Sequence, residues 1–421
     1  MTFDEALEWI HSRLKFNIRP GLIRVERLLE LLGNPERELS MLHVAGTNGK
    51  GSTVAFLRSI FMEKDLKVAS FTSPYIEQFG ERMAINGQPI PDGKLVFYVE
   101  KIKPLVENMD TDECVTGITE FEIITALSLL YFKDEQVDLA IIEVGLGGLL
   151  DSTNVITPKT SVITTIGLDH MDILGKTLPE IAAQKAGIIK RNIPVIVGNI
   201  SNEALDVITR KASEMNAPTY LYQRDFHLTA YDDERFDFEN SAVKFDKLEK
   251  KLIGRHQIEN AGLAVQAALV YAKAEQLELT ENDIRNGLKK TFWPARMEEI
   301  LPKVFLDGAH NTHAMERLTE NLQTHFKNKK IHIIFSAITT KDISEMLQML
   351  QKIENTELTL TTFDYPKALN LADFLAQNTA ENWQEKYVEL SANLTENDVI
   401  LFTGSLYFMS QVREYLLEEQ K

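Results

Sequence analysis

The sequence predicts an α/β protein with parallel β-sheets that is divided into two domains. Short, continuous apolar runs alternate with longer segments of helical periodicity from residue 41 onward. Continuous rather than alternating apolar runs are typical of strands that are buried on both faces of a parallel sheet. The length of 421 residues is ample for more than one hydrophobic core. These observations favour sheets that are covered by helices on both faces.

The larger, N-terminal domain is assigned to residues 1–294. A buried strand at 41–45 is followed by a glycine-rich turn and by a helix from about 52 to 64. Further strands are predicted at 67–71, 139–144, 161–166 and 195–197, and further helices at 121–132 and 258–274. Polar and aromatic residues alternate between 219 and 245, which predicts an antiparallel excursion near 219–246.

The pattern of strands and helices restarts after Trp293-Pro294, where we place the domain boundary. Strands are predicted at 304–306, 331–335, 358–362 and 399–402, with helices between them and a last helix at about 406–417. The C-terminal domain, residues 295–421, is therefore predicted to be a smaller, Rossmann-like α/β unit.

The net charge limits the classes of partner that we expect, and the single cysteine bears on where the protein is located. The chain carries 45 Lys and Arg against 62 Asp and Glu, a formal net charge of -17. Such a surface repels phosphate backbones and anionic lipids, so we expect neither nucleic acid nor a membrane as a partner. The lone Cys114 cannot form an internal disulfide, and the acidic N-terminus lacks the features of a signal peptide. We therefore expect a cytoplasmic protein.

A glycine-rich segment after the first strand has the residues of a phosphate-binding loop (P-loop). It reads Gly46-Thr47-Asn48-Gly49-Lys50-Gly51-Ser52 and opens the first predicted helix of the sheet. Glycines let backbone N–H groups approach phosphates, the helix N-terminus adds partial positive charge, and Lys50 reaches the terminal phosphates. Nucleotide contacts are predicted from Thr47, Asn48, Gly49, Lys50, Gly51 and Ser52. The alternative is a glycine-rich turn without a ligand.

The spacing of this loop and the order of later motifs resemble a known family. The short G-T-N-G-K loop is similar to that of the Mur ligase superfamily, and Gly51 before Ser52 narrows the resemblance to the folylpolyglutamate synthase and dihydrofolate synthase family. The likeness begins at Arg19-Pro20-Gly21-Leu22 and reaches the last helix. The other matching segments are 72–75, 81–87, 143–154, 167–170, 184–188, 293–298, 307–311 and 403–407.

The resemblance implies an ATP-dependent ligase that joins L-glutamate to (tetrahydro)folate. ATP converts the substrate carboxylate into an acyl phosphate, which the amine of glutamate attacks to form an amide. A carboxylate oxygen is a poor leaving group, and phosphorylation corrects this. The protein then has to position the groups and neutralise charge around the moving phosphoryl group.

The resemblance also implies where Mg²⁺ ions, two in number, are held. Ser73, Glu143 and His170 match the metal positions, and Lys185 matches a lysine that carries a carbamate. Glu143 ends an apolar strand, where a buried carboxylate without a partner is costly, and this favours metal binding over a structural salt bridge. The alternatives are an unmodified Lys185 paired with an anion, a turn role for Ser73, and a core or surface role for His170.

The resemblance implies further nucleotide contacts beyond the P-loop, from a late helix of the first domain and from the second domain. Asn260, Arg296, Asp307 and His310 match such positions, and the forked guanidinium of Arg296 suits developing phosphoryl charge. The alternative for these residues is an interdomain ion pair. The implied catalytic group is Lys50, Glu143, His170, Lys185, Arg296 and Asp307.

The folate-binding loop is implied to lie at residues 117–122. The implied substrate-binding residues are Arg82, Thr119, Glu120, Phe121 and Glu122. Phe121 can stack on a flat ring, but an N-cap threonine followed by a core phenylalanine explains the same segment equally well. The chain departs from the family pattern at Tyr75, Leu149 and Ala295, which replace histidine, arginine and glycine; an alanine at 295 is strained if that position needs a positive φ.

Two other functions compete with the folate ligase. One is a Mur-type ligase that adds an amino acid to a cell-wall nucleotide precursor, and the other is a degenerate nucleotide-binding paralogue without turnover. The Gly51-Ser52 loop and the Trp293–Arg296 motif favour folate, and the retained Lys50 and Glu143 argue against degeneracy. Whether dihydropteroate is a second substrate stays open. The expected partners are ATP, folate and L-glutamate, bound by a monomer as the resemblance implies.

Overall fold

The computed structural model describes residues 1–13, 21–338, 343–374 and 377–418. Arg19 and Pro20, where the family likeness begins, lie outside these ranges. The chain divides into two compact units. The first comprises Met1–Tyr231, Arg235–Lys250 and Ile258–Thr291, and the second comprises Asp232–Glu234, Lys251–Gln257 and Phe292–Lys421.

The first unit is built on a mainly parallel sheet. Its strands are β1 (Met41–Ala45), β2 (Val68–Phe71), β3 (Met83–Ile85), β4 (Gln88–Pro89), β5 (Leu139–Glu143), β6 (Thr160–Ile163), β7 (Val195–Val197) and β8 (Thr219–Leu221). They lie in the order β4-β3-β2-β5-β1-β6-β7-β8, and only β3 and β4 pair antiparallel. Every residue of β1, β2, β5, β6 and β7 is buried, as the continuous apolar runs predict.

Helices cover this sheet on both faces. They are α1 (Phe3–Ser12), α2 (Ile23–Leu31), α3 (Lys50–Met62), α4 (Asp92–Met109), α5 (Glu120–Asp134), α6 (Met171–Leu174), α7 (Leu178–Lys185), α8 (Asn202–Glu214), α9 (His256–Ala274) and α10 (Glu281–Lys290). Several begin with a capping box; at α5, Thr119 accepts a hydrogen bond from the Glu122 backbone and donates its own N–H to the Glu122 carboxylate.

The antiparallel excursion is a separate three-stranded sheet in the order β11-β10-β9. Its strands are β9 (Phe226–Ala230), β10 (Arg235–Asn240) and β11 (Lys244–Glu249). Phe238 stacks between Phe226 and Phe245, with ring centroids 6.1 and 6.0 Å apart. The segment at 219–221 pairs parallel with β7, so the antiparallel strands begin at Phe226, later than the sequence pattern suggests.

The second unit has a sheet of its own in the order β12-β13-β17-β14-β15-β16, in which only β12 pairs antiparallel. The strands are β12 (Glu298–Leu301), β13 (Val304–Asp307), β14 (Lys330–Phe335), β15 (Thr356–Thr361), β16 (Thr379–Ala380) and β17 (Asp398–Thr403). The helices are α11 (Thr312–His325), α12 (Ile343–Gln351), α13 (Trp383–Ala392) and α14 (Leu406–Glu418). The predicted class, an α/β protein with parallel sheets, is confirmed. Among the described helices, none is both long and apolar enough to cross a bilayer.

Candidate functional site

The candidate site lies at the carboxyl edge of the first unit's parallel sheet. Val44 of β1 pairs with Glu143, the last residue of β5, and Ala45 pairs with Ile163, the last residue of β6. On the other side of β5, Ile142 pairs with Phe71 of β2. Phe71 is the last residue of β2, and Ser73 follows it two residues later in the chain. The loops that leave these four strands therefore meet at one edge, which is where ligands bind in open α/β sheets.

The P-loop between β1 and α3 is shaped by close approaches that only glycine permits. A Cβ at Gly46 would lie 1.9 Å from Thr164 Oγ1, and a Cβ at Gly49 would lie 2.4 Å from Asn260 Oδ1. Gly49 also has a φ of 84°, in the left-handed region. The Asn260 side chain is thus placed directly against the loop, although it comes from α9.

Two threonines that the sequence motifs did not single out brace the P-loop. Asn48 donates its N–H to Thr165 Oγ1 at 2.9 Å, and Thr164 Oγ1 donates to the Asn48 carbonyl at 2.6 Å. Thr47 Oγ1 accepts the N–H of Gly167 at 2.9 Å. The only signal in the sequence was that a threonine pair follows a strand, and its use became visible once β6 was placed beside β1.

Lys50, the first residue of α3, lies over the loop that precedes it. Its Nζ donates to the carbonyls of Gly46 at 3.0 Å and Thr47 at 3.3 Å, and lies 4.0 Å from Glu143 Oε1. Glu143 is 5% exposed, so a buried carboxylate and an ammonium face each other in a loose pair. Gly51 and Ser52 follow in the first turn of α3, where N–H groups point toward the loop.

Lys185, the last residue of α7, is buried in the same neighbourhood. Burial and the positive charge of Lys50 lower the pKa of Lys185 to about 7, although Asp169 and Asp151 act in the opposite direction. The turn at 145–148 packs on this segment, since a Cβ at Gly148 would lie 3.1 Å from Lys185 Cα. A lysine with such a pKa is substantially neutral near pH 7, and a neutral amine is a nucleophile.

The predicted metal positions are a serine, a carboxylate and a histidine. Glu143 ends β5, Ser73 follows the neighbouring strand β2, and His170 is the N-cap of the short helix α6, with its Nε2 3.9 Å from Asp169 Oδ1. Hydroxyl and carboxylate oxygens beside a P-loop fit a hard cation such as Mg²⁺, which keeps several of its waters; an imidazole is a less typical ligand. In the described ranges, no group of three or more His, Cys, Asp or Glu side chains is arranged to hold a metal.

Arg82 lies close to Glu120 of the predicted folate-binding loop. Its guanidinium lies over the rings of Tyr75 and Phe79, at 5.2 and 5.4 Å from their centroids, and 3.9 Å from the Glu120 carboxylate. Glu120 is also 3.1 Å from His11 Nδ1. A cation, two aromatic faces and a buried carboxylate therefore converge at the N-terminus of α5.

The other residues of that loop have structural partners. Glu122 forms a buried ion pair with Arg24, at 3.1 Å, in addition to the capping box with Thr119. The ring of Phe121 packs against Phe71, and a Cβ at Gly145 would lie 2.5 Å from it. Phe121 thus lies between the core and the turn that follows Glu143.

The second unit carries its predicted nucleotide contacts around the end of β13. Asp307 accepts the N–H groups of Met297 at 3.0 Å and Ala309 at 2.9 Å. Burial raises the pKa of Asp307 above its usual value. The charge of Arg296 and the two N–H groups act in the opposite direction and offset part of this rise. His310 Nδ1 is 2.8 Å from the Gly308 carbonyl, and a Cβ at Gly308 would lie 3.0 Å from an Arg296 nitrogen. These three predicted residues therefore lie together within the second unit.

A cavity of about 1110 Å³ lies elsewhere in the first unit. Most of the residues that line it precede β1 and β6, which places it at the amino edge of the sheet rather than the carboxyl edge. None of the predicted site residues lines it. The candidate site is therefore identified by the chemistry of the strand ends and not by this cavity.

A P-loop, a lysine at the start of the following helix and a strand-end carboxylate define an α/β nucleotide-binding protein of the P-loop class. Comparison with protein families agrees: the Mur ligase middle domain matches residues 44–268, and the Mur ligase glutamate ligase domain matches residues 295–406. The chain belongs to the Mur ligase superfamily and, within it, to the folylpolyglutamate synthase and dihydrofolate synthase family. The resemblance drawn from the motifs is confirmed.

Relatives cover the chain almost from end to end. It is 41% identical to the dihydrofolate synthase/folylpolyglutamate synthase of Bacillus subtilis (strain 168), across 98% of this chain and 99% of that protein. It is 38% identical to the folylpolyglutamate synthase of Lacticaseibacillus casei, across 99% of both. The solved apo form of L. casei FPGS superposes with a TM-score of 0.89 at 37% identity, across 99% of this chain and 100% of that one; an FPGS–AMPPCP–folate complex gives 0.87.

Proposed function

We propose that this chain is an ATP-dependent ligase that adds L-glutamate to (tetrahydro)folate through an acyl phosphate. The observation that carries the proposal is the meeting of Lys50, Glu143 and Lys185 at the P-loop edge of the sheet. The cation of Lys50, the buried carboxylate of Glu143 and the amine of Lys185 beside backbone N–H donors suit transfer of a phosphoryl group. The relatives with these names and near-complete coverage support the choice of folate over a cell-wall precursor.

Each group has a role that follows from its chemistry. Lys50 and the N-terminus of α3 neutralise the terminal phosphates of ATP, and Asn260 fixes the loop conformation from α9. Glu143, Ser73 and His170 would hold Mg²⁺, which supplies further charge neutralisation when bound. Within the second unit, Arg296 lies beside Asp307 and His310, and its forked guanidinium has the chemistry of the phosphate contact that the family resemblance assigns to it.

The substrate carboxylate has to approach without competing anions nearby. We assign Arg82 to the folate-binding region, where its charge opposes the acidity of the chain. Glu120 and the rings of Tyr75 and Phe79 orient this guanidinium, and Phe121 offers a flat face between the core and the turn after Glu143. Thr119 and Glu122 hold the loop through the capping box.

We further propose that Lys185 reacts with CO₂ to form a carbamate. The nitrogen of the neutral amine bonds to the CO₂ carbon and releases one proton, and the product is an anionic carbamate whose oxygens would be ligands for a second Mg²⁺. The low pKa of Lys185 supports this, because only the neutral amine reacts. Protein incubated with ¹³C-bicarbonate should give a carbamate carbon signal that is absent from Lys185→Arg. A spectrum without that signal would contradict the modification.

The direct test is release of ADP and phosphate with Mg²⁺ and L-glutamate, compared between tetrahydrofolate, dihydropteroate and no acceptor. Release should require both glutamate and a folate, and mass spectrometry should find a product one glutamyl unit heavier. Lys50→Met should lose this activity by at least about 100-fold, since a charge at the transferring phosphate is removed. If a Mur-type precursor, and no folate, stimulates release, the folate assignment fails.

A second activity, joining glutamate to dihydropteroate, is favoured by one observation. The relative from Bacillus subtilis, named as both a dihydrofolate and a folylpolyglutamate synthase, covers this chain throughout. We therefore propose that dihydropteroate also supports ADP release, and that the enzyme acts as a monomer. Analytical ultracentrifugation at the assay concentration gives the mass of the particle and tests whether it is a monomer. The comparison of ADP release with and without dihydropteroate tests the second substrate.

A further inference from the structure

A buried chain of hydrogen bonds connects the P-loop strand to the turn that follows Glu143. His43 is fully buried in β1, three residues before Gly46. Its Nε2 is 2.9 Å from Thr153 Oγ1, and the Thr153 hydroxyl forms a short hydrogen bond with Asp151. Asp151 in turn accepts the N–H of Leu146 at 2.7 Å and that of Gly145.

The direction of these hydrogen bonds follows from their partners. Asp151 Oδ1 accepts from both the hydroxyl and the backbone N–H of Thr153, the latter at 3.0 Å. Because the hydroxyl hydrogen points to Asp151, the Thr153 oxygen has to accept, and His43 Nε2 has to donate. His43 is therefore the neutral Nε2–H tautomer, in agreement with its pKa, which burial and Lys190 lower to about 3.

Packing alone does not explain a histidine at this position. All five residues of β1 are buried, and His43 Nδ1 has no hydrogen-bond partner in the described part of the chain. An aliphatic side chain would fill the strand without burying an unpaired nitrogen. A residue that costs stability in the core is retained where it serves a site nearby.

The two ends of the chain point to that site. Leu146 and Gly145 are the third and second residues after Glu143, and their N–H groups are fixed by Asp151. The same turn packs on the Lys185 segment at Gly148, and the charge of Asp151 acts on Lys185. Movement of Asp151 would therefore shift a carboxylate and a lysine on which the proposed phosphoryl transfer depends.

We propose that His43 is a positioning residue which, through Thr153 and Asp151, fixes the turn after Glu143 and aligns Glu143 and Lys185 for phosphoryl transfer. The inference rests on the proposed ligase function. Supporting hydrogen bonds behind a site's ligands typically change activity by about 10–100-fold when removed.

Side-chain geometry offers a matched pair of variants. The amide nitrogen of glutamine reaches the position of Nε2, whereas that of asparagine reaches only the position of Nδ1. His43→Gln should therefore keep the donor to Thr153, and His43→Asn should lose it. His43→Leu removes both nitrogens, and Ser128→Ala is the control for loss of an unrelated buried hydrogen bond, from Ser128 Oγ to the Thr125 carbonyl in α5.

The experiment measures kcat for ADP release, the Kd of AMPPCP and the melting temperature of each variant. We expect kcat to fall about 10–100-fold in His43→Asn and His43→Leu, and to stay within about three-fold in His43→Gln and Ser128→Ala. The Kd should change by less than about two-fold, and His43→Leu should melt no lower than the parent protein. Equal kcat values in the Gln and Asn variants, or full activity in His43→Leu, would overturn the proposal.

A spectroscopic measurement separates this inference from the ligase assignment. In ¹⁵N-histidine-labelled protein, His43 should show an exchange-protected Nε2–H proton that is lost in Thr153→Val. If the parent protein shows this proton but no folate-dependent turnover, the ligase function fails while the hydrogen-bond chain stands. If turnover is present and the proton is absent, the positioning role is wrong.

Discussion

Lys185 is the side chain whose charge depends most on its surroundings. The residue is 4% exposed at the end of α7, and burial with the nearby Lys50 lowers its pKa from 10.5 to about 7. The charged form is disfavoured in the folded protein, so an unmodified Lys185 reduces stability wherever it has to be protonated. Reactivity and local instability at this position have the same physical cause.

The sign of the resulting pH dependence can be worked out. Below about pH 7 the amine is protonated in both the folded and the unfolded chain, and the folded chain bears the whole free-energy cost of burying the charge. As the pH rises from about 7 toward 10.5, the folded chain releases its proton before the unfolded chain does, and this cost declines. In CO₂-free buffer, Lys185→Met should therefore raise the melting temperature more at about pH 6 than at about pH 9. Lys185→Arg keeps its charge at both pH values, so the difference in melting temperature between the Met and Arg variants should be no smaller at about pH 9 than at about pH 6. If the melting temperature of Lys185→Met relative to the parent protein instead increases with pH, the lowered pKa of Lys185 is contradicted.

Ala295 occupies backbone space that favours glycine. It is fully buried with a φ of 50°, and its carbonyl accepts the Gly308 N–H at 2.9 Å beside Asp307. A non-glycine residue in this region costs about 1–2 kcal/mol. The departure from the family glycine that the sequence flagged is therefore a strained position in the second unit.

Relief of this strain predicts an unusual tolerance to glycine. Ala295→Gly loses about 0.8 kcal/mol of methyl burial and about 0.4–1 kcal/mol through the freer unfolded chain, but recovers the backbone strain. Its free energy of unfolding should change by less than about 1 kcal/mol. Ala337 is equally buried without a left-handed φ, and Ala337→Gly should cost about 1–2 kcal/mol. Urea unfolding measures both, and equal losses would exclude strain at Ala295.

Helix α3 is the element that brings the P-loop to the sheet, and it is buried nearly all round. Side chains such as Phe56, Ile60 and Phe61 are fully buried, because α3 lies between the sheet and α10. The approach of α10 depends on Gly287, where a Cβ would lie 2.5 Å from Ile60 Cα. The position of the P-loop therefore depends on a backbone-to-backbone contact behind it.

A single methyl group should disturb this contact. Gly287→Ala is expected to lower the free energy of unfolding by about 1–3 kcal/mol through overpacking, despite the better helix propensity of alanine. At Gly93, in the first turn of α4, a Cβ would meet no atom within 4 Å and φ is not positive, so Gly93→Ala should be neutral or stabilise by up to about 1 kcal/mol. Chemical denaturation compares the pair. A Gly287→Ala protein as stable as the parent would mean that α10 can move away without cost.

At the scale of the whole molecule, the net charge of -17 opposes compactness. The basic residues at the P-loop edge lie within an acidic chain, and their local charge draws anionic substrates that the surface as a whole repels. Repulsion among the negative charges of the chain is weakened by salt. Raising the ionic strength from about 0.01 to about 0.1 M shortens the Debye length from about 30 to about 10 Å.

Salt should therefore stabilise the protein near neutral pH. Over that range of NaCl, the melting temperature at about pH 7.5 is expected to rise by a few degrees, because repulsion between like charges is screened. Near the isoelectric point of about 5.1 the same increase in NaCl concentration should change the melting temperature much less, because the net charge is close to zero there. Differential scanning fluorimetry at the two pH values makes the comparison, and an equal response at both would point to ion-specific binding rather than screening.

The local elements could be predicted from the sequence, because their causes are local. β1 and β7 have the predicted limits, and α5 and α14 differ from them by one or two residues, since apolar runs and capping residues set these boundaries. The α/β class and the family followed from strand patterns and ordered motifs. The P-loop could be located because glycines, a lysine and the strand-to-helix context occur within seven residues.

The sequence by itself thus determined the class, the family and the place of the P-loop. Only the tertiary structure decided that Asn260 lies against Gly49, that Thr164 and Thr165 brace the loop, and that Ala295 is strained. The same holds for the His43–Thr153–Asp151 chain and for the lowered pKa of Lys185. The physical reason is that strand and helix preferences act between near neighbours, whereas close approach, desolvation and hydrogen bonding across the sheet depend on residues that only the folded chain brings together.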